Sequence, residues 1–354
     1  MKTGRTLGDL AAEIDRQAKA KQDFIAPTPK LTLVPGLEPE TMDLMVEGGG
    51  LFPVRDLALS QIGERTGVPM KYLRRMRDEA PDLLSTNINY WFREQPERRM
   101  VRTLDGDVRA FLSERYQRID NYDMANTVLP VLSDVPGLRI LSTEVTEHRL
   151  YIKAATTAVS REIKSRRVGD VVEAGVMISN SEVGLGAVTV SPFAYFLICL
   201  NGAVRDGGKR WNHIGRRAEE QDNPYLLLSD ETRQADDRAQ LLMIRDTLKS
   251  ALNPDLFERW LDKVQGTAER RIEGDVGKAV EVLSNSLGLS RDEQGTVLRH
   301  LIEGGDLSQY GLFNAVTRTA EDAESYDRAT ELETLGGRII DLPASEWREL
   351  ALAA

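Results

Sequence analysis

The 354-residue chain has one cysteine, Cys199, and three histidines, His148, His213 and His300. A single thiol excludes an internal disulfide, and its place in the apolar string PFAYFLICLNG marks Cys199 as a small buried core residue. The histidines lie far apart and none stands beside a cysteine, so no zinc-ligand spacing exists. Also missing is any run approaching the ~18 to 20 apolar residues of a membrane-spanning helix, and the opening MKTGRTLGDLAAEIDRQAKAKQDF is charged throughout, without a signal's apolar stretch. A cytoplasmic protein with no membrane partner is the expectation. The sequence has no GxxxxGK followed by Ser or Thr and no GxSxG, which argues against a phosphate loop and a serine nucleophile elbow. Gly48-Gly49-Gly50 and Gly184-Leu185-Gly186 lack the strand, GxGxxG and helix order of a dinucleotide fold and read as turns or bulges. No histidine neighbours Cys199 in sequence, and no spacing singles out a carboxylate pair. His213, in GGKRWNHIGRR, reads as a phosphate-positioning or surface residue rather than a base. The reading is therefore a non-enzyme without a cofactor or a metal.

What is present is charge, unevenly spread. The formal net charge is −10, yet residues 71–217 carry 23 basic against 18 acidic side chains, while residues 218–354 carry 15 against 28. Most central cations are arginines, which suit planar two-point contact with phosphate or carboxylate. A basic middle points to an anionic partner; alternatively, the acidic third packs on that middle or on a neighbouring subunit.

Four regions follow from the patterning. Residues 1–50 read as an amphipathic helix and a mobile arm, with APTPK as an extended linker. Residues 51–84 read as a helix-turn-helix hairpin, with Thr66-Gly67 at the turn, Pro69 opening the second helix and Leu57, Ile62, Val68, Leu73 and Met76 as its core. Residues 85–217 form a basic, β-rich core from runs such as TNINYWF, RRMVRTL, VRAFLS, RLYIKAATTAV and VVEAGVMISN, with a tight turn at Asp105-Gly106 and a helix at NYDMANTVLPVL capped by Asp120 or Asn121. In RLYIKAA, Leu150, Ile152 and Ala154 point into a core, while Tyr151 and Lys153 face solvent or a ligand. Residues 218–354 are acidic amphipathic helices. The fold class expected is α+β, a mostly antiparallel central sheet with an N-terminal helical hairpin and a helical C-terminal third.

The candidate binding residues are basic segments interleaved with aromatics. REQPERRMVR and the strand after it offer Arg93, Arg98, Arg99, Arg102, Arg109, Arg115 and Arg118 beside Tyr116, with Tyr90 and Trp91 just before. SREIKSRR offers Arg161, Lys164, Arg166 and Arg167, and KRWNHIGRR offers Lys209, Arg210, Arg216 and Arg217 around Trp211. Cations along phosphates and aromatic faces under splayed bases are the two parts of a single-strand site. The hairpin's second helix carries Lys71, Arg74, Arg75 and Arg77, a basic face that fits a duplex groove. A charged hairpin edge, a solvated loop or a plain helical hairpin would account for the same residues.

The strings LSERYQRIDNYDM, ISNSEVGLGAVTVSPFAYFLICLNG and GLFNAVTRTAEDAESYDRA resemble the phage- and plasmid-borne domain-of-unknown-function family numbered 932, over roughly Leu51 to Trp347. The matching positions are Ser113, Arg115, Tyr116 and Asn121; Asn180, Ser181, Glu182 and Gly184; Cys199, Asn201 and Gly202; and Asn314, Ala315, Val316 and Thr317. The resemblance implies a mobile-element context and no particular reaction. In outline the chain is also similar to phage single-strand annealing recombinases of the RecT, Red-beta and Erf kind. Read structurally, Asn180-Ser181 and Asn201-Gly202 are turn formers and Asn314 caps the helix NAVTRTAEDAESYDRA. The functional expectation is a protein that binds single-stranded DNA without nucleotide hydrolysis, as a homo-oligomer, possible partners being replication or recombination proteins of host or phage. The alternatives are a module that blocks a host factor and a helix-turn-helix regulator of duplex DNA.

Overall fold

The computed structural model describes residues 1–163, 170–198, 200–205, 208–212 and 230–353. The α+β class and the helical C-terminal region are as expected. The arm differs from expectation. Helix α1 (Leu7–Ala20), capped by the Thr6 hydroxyl, leads into strand β1 (Gln22–Pro27), a 3-10 turn (Thr28–Lys30), and strands β2 (Leu31–Pro35), β3 (Met42–Val46) and β4 (Gly50–Pro53). Of the two prolines that suggested a linker, Pro27 ends β1, an edge strand where a missing N–H breaks no ladder, and Pro29 sits in the first positions of the 3-10 turn, where none is required. Leu31, Leu33, Leu44 and Val46 supply the buried side chains that hold the segment down.

The hairpin forms as read. Helix α2 (Asp56–Thr66) ends at Gly67 in the left-handed region (φ 71°), a backbone state that glycine adopts without strain, and Pro69 precedes helix α3 (Met70–Glu79). The next segment, expected as a strand, is helix α4 (Pro81–Glu94). Leu84, Ile88 and Phe92 are buried at i, i+4 and i+8, a helical period that the β-rich stretch downstream obscured. Asn89 fastens α4 to the sheet. Its side chain accepts from the Leu33 N–H and donates to the Leu33 C=O, both at 2.8 Å, so it answers the open side of β2. Strands β5 (Arg98–Leu104) and β6 (Asp107–Ser113) meet at Asp105-Gly106, both with positive φ (56° and 89°), the primed turn expected. One core joins Leu33, Leu44, Ile62, Leu73, Ile88, Val101 and Phe111, and so draws on residues either side of positions 50 and 84.

Helix α5 (Asn121–Ser133) precedes an antiparallel sheet of β7 (Leu138–Val145), β8 (Leu150–Ile163), β9 (Asp170–Asn180), β10 (Val188–Phe196), β11 (Asn201–Val204) and β12 (Lys209–Trp211). The order is β11-β10-β9-β8-β7, with β12 also on β10. The C-terminal helices are α6 (Asp230–Ala251), α7 (Pro254–Thr267), α8 (Val276–Leu287), α9 (Arg291–Gly304), α10 (Gln309–Thr319), α11 (Tyr326–Ile340) and α12 (Ala344–Ala351). Leu150, Ile152, Val176, Ile178 and Val190 share a core with α1, α5 and α6, while Val172, Ala174, Ala194 and Phe196 share one with α7 to α12. Asn314 caps nothing. Ser308 caps α10, Asn314 sits within it, and the single helix read through NAVTRTAEDAESYDRA is two, the second capped by Ser325.

Tyr151 and Lys153, expected to face solvent or ligand, are covered by α11. Lys153 donates to Glu333 at 2.6 Å, both side chains wholly buried, and its ammonium lies 4.7 Å from the centre of the Tyr326 ring. Tyr151 donates to Asp327 at 2.8 Å. Helix α11 can approach this closely because Gly337 lies on β11, where a Cβ would meet the Val204 carbonyl oxygen at 1.9 Å. The acidic third is thus packed on the basic middle. Removing one partner of a buried pair strands the other charge, so Lys153→Met is expected to cost about 3–5 kcal/mol, and adding Glu333→Leu to recover most of it. Urea midpoints of the two variants test this; equal loss in both would show that packing, not charge, is at stake.

Candidate nucleic-acid interface

The first two motif strings meet at the start of α5. Arg102, wholly buried, donates to Asp23 (2.9 and 3.1 Å), Asp120 (2.7 Å) and the Glu182 carbonyl (3.0 Å). Arg109 donates to Glu182 at 2.6 Å, whose other carboxylate oxygen takes the Asn121 N–H at 2.6 Å. Asn180 donates to the Ile119 carbonyl (2.8 Å) and Asn121 Oδ1 (2.9 Å), and Lys21 completes the group on Asp120. Asp120 is the N-cap residue of α5 but makes no side-chain cap bond, because Arg102 and Lys21 hold its carboxylate. Burial raises this carboxyl's pKa, and Arg102 and Lys21 outweigh burial and hold it below the usual range.

Arg102 and Arg109, proposed from sequence as phosphate contacts, are therefore interior struts. Tyr116 joins them: it is largely buried and donates to the Ser181 carbonyl at 2.7 Å. Arg99 is turned onto Glu97, with its guanidinium 5.6 Å from the Phe111 ring centre. Arg161 is held by Glu258 (2.6 Å) and Asp262 (2.9 Å) of α7. Trp211, expected as a stacking platform, packs against the core under α5 and α6. Lys164, Arg166, Arg167, Cys199, His213, Arg216 and Arg217 lie outside the described residues. Asn180 ends β9, as its reading as a turn former at a strand end has it, whereas Asn201 opens β11; both are buried, and Asn201 donates to Thr317 at 2.6 Å and to Asn314 at 3.3 Å. Gly48 adopts positive φ in the turn before β4, Gly50 as the first residue of β4 and Gly184 in the bend after β9.

Several of the cations that remain accessible lie on α3 and α4. Helix α3 turns Leu73 and Met76 inward, which leaves Lys71, Tyr72, Arg74 and Arg75 outward. Arg77, offered as a duplex contact, bends back onto Asp56 (2.5 Å) and Asp78 (2.8 Å). Arg74 stands 3.5 Å from Asp56, and Arg75 pairs with Glu79 at 2.8 Å, both arginines well exposed. Only Ala80 separates α3 from α4, whose Leu83, Thr86, Tyr90 and Arg93 repeat at i, i+3, i+7 and i+10 and form one exposed stripe. Tyr72 and Tyr90 are 48% and 53% exposed, and Tyr90 is braced edge-on against Trp91 with ring centres 5.1 Å apart. Among the described residues Lys71, Arg93, Arg115, Lys209 and Arg210 are exposed without a carboxylate partner; Arg98 is exposed beside Glu114 (3.1 Å) and Arg118 stands 3.7 Å from Asp23. Tyr72 was not singled out from sequence, although its place among four cations was a usable signal.

A groove of about 670 Å³ is lined by Pro29, Lys30, Thr32, Met45, Val46, Glu47 and Gly48 to Gly50, but its one cation and one anion stand 3.4 Å apart. Among the described residues no three acidic, histidine or cysteine side chains form a metal-holding group. In comparison with known proteins, the chain matches no family model, no curated protein and no solved structure.

A carboxyl held below its unfolded pKa contributes stability that is complete above that value and is lost as pH falls through the folded one. The acid limb of the unfolding curve is thus expected to owe part of its slope, below about pH 4, to Asp120. Asp120→Asn should lower the neutral-pH midpoint and flatten that limb in circular dichroism; an unchanged limb would remove Asp120 from the acid response.

Proposed function

We propose that this protein binds nucleic acid through α3 and the exposed stripe of α4, with single-stranded DNA preferred, and that it belongs to the mobile-element context its motif strings resemble. The observation that carries the reading is the pairing of two exposed tyrosine rings, Tyr72 and Tyr90, with Lys71 and Arg93, cations that no described carboxylate engages. Rings accept any base by stacking, and neighbouring cations hold the strand by its phosphates. The surface differs from the sequence-based one: Arg102, Arg109 and Tyr116 are withdrawn from it, Arg93 is kept, and the hairpin helix, read from sequence as a duplex contact, joins it. Nothing in this reading asks the protein to break a bond. A second reading rests on the left-handed Gly67 turn that sets α2 against α3, an arrangement suited to laying α3 in a duplex groove.

Anisotropy of labelled single-stranded and duplex oligonucleotides at two salt concentrations decides between them. Tyr90→Ala is expected to weaken single-strand binding about tenfold, the loss of one stacked base. Reversing Lys71 and Arg93 to Glu is expected to reduce the steepness of the salt dependence by about 1.4, the share of two phosphates on a single strand. Duplex preference with indifference to Tyr90→Ala would favour the groove reading. Folded variants that bind like the parent would end the assignment of this surface.

A further inference from the structure

Arg205 follows β11 and is fixed by its N–H to the Pro192 carbonyl at 2.9 Å. It is 5% exposed, and among the described residues no carboxylate lies within pairing distance of it. Its Nε is buried without an acceptor. The guanidinium carbon lies 5.4 Å from the Phe257 ring centre and 5.5 Å from that of Trp260, residues one helical turn apart on α7. Trp260, itself 6% exposed, has its indole N–H buried without an acceptor as well. Other buried cations here have anions: Arg102 has Asp23 and Asp120, Arg109 has Glu182, Lys153 has Glu333. Facing rings recover only part of what desolvating a guanidinium costs, and they leave both N–H groups unanswered.

From two buried donors without acceptors, on a guanidinium and an indole ring whose centres lie 5.5 Å apart, we infer that Arg205 and Trp260 form a binding site for a small oxyanion, with Phe257 as its apolar wall. The shared chemistry is a phosphate or carboxylate whose oxygens accept from the guanidinium and the indole N–H. It neutralises Arg205 and ties the end of β11 to α7, joining the sheet to the helical third. The site is separate from the α3–α4 surface and does not depend on nucleic-acid binding.

Calorimetric titration of the full chain with inorganic phosphate, and separately with acetate, against a chloride background of matched ionic strength tests the assignment. Saturable binding of one or both is expected, with the stronger naming the class, and the same anion should raise Tm as its concentration passes Kd. Trp260→Phe keeps the ring but removes the N–H, and is expected to weaken binding about tenfold. Arg205→Gln should abolish both heat and shift. Absence of saturable heat with either anion in the parent protein overturns the proposal, and so does an anion-induced Tm shift that survives intact in Arg205→Gln. If Arg205→Gln does not fold, the parent and Trp260→Phe titrations decide alone: equal affinities overturn the two-donor site.

Discussion

Arg102 occupies a position that no other side chain could hold with the same geometry. A planar guanidinium reaches Asp23 on β1, Asp120 before α5 and the Glu182 carbonyl after β9, three segments distant in sequence. Its charge is buried completely, so its cost is met only because two carboxylates and a carbonyl converge on it. Lysine, with one compact ammonium, could not span the three. The N-terminal sheet pair, the central sheet and the layer formed by α1 and α5 therefore share one electrostatic joint. The mutual position of the two β regions depends on it.

Much of the fold was legible where local chemistry is decisive. The Asp105-Gly106 turn and the Thr66-Gly67-Val68-Pro69 break each solve a backbone problem within a few residues. What escaped were elements whose identity depends on partners. Pro27 and Pro29 look like breakers until β1 is known to be an edge and the next residues a 3-10 turn. The string PDLLSTNINYWF carries β-favouring Ile, Tyr, Trp and Phe, yet burial of Leu84, Ile88 and Phe92 makes it a helix. Tertiary packing overrode a weak preference.

The binding residues were harder to read for the same reason. An arginine in a sequence does not disclose whether it faces phosphate or an aspartate eighty residues away. Arg102 and Arg109 alternate with apolar residues on β5 and β6, yet both point into the protein, where Asp23, Asp120 and Glu182 await them. Part of the contrast between a basic middle and an acidic end is internal fastening, through Lys153 to Glu333 and Arg161 to Glu258 and Asp262. The resemblance motifs have a physical reading too: Asn121, Asn180 and Glu182 meet in one buried group, and Asn201, Asn314 and Thr317 in another. Each set joins sheet to helix, which is what a fold must preserve whatever its ligand.

Asn89 carries a consequence beyond the packing of α4. By returning both an acceptor and a donor to Leu33, its amide imitates a strand at the place where a foreign strand would dock. The β2 edge is thereby closed to self-association by one side chain, with no lysine or proline needed at that point. While α4 is docked, the middle of β2 therefore offers no free N–H or C=O to an incoming strand, through a residue that contributes little to the hydrophobic core.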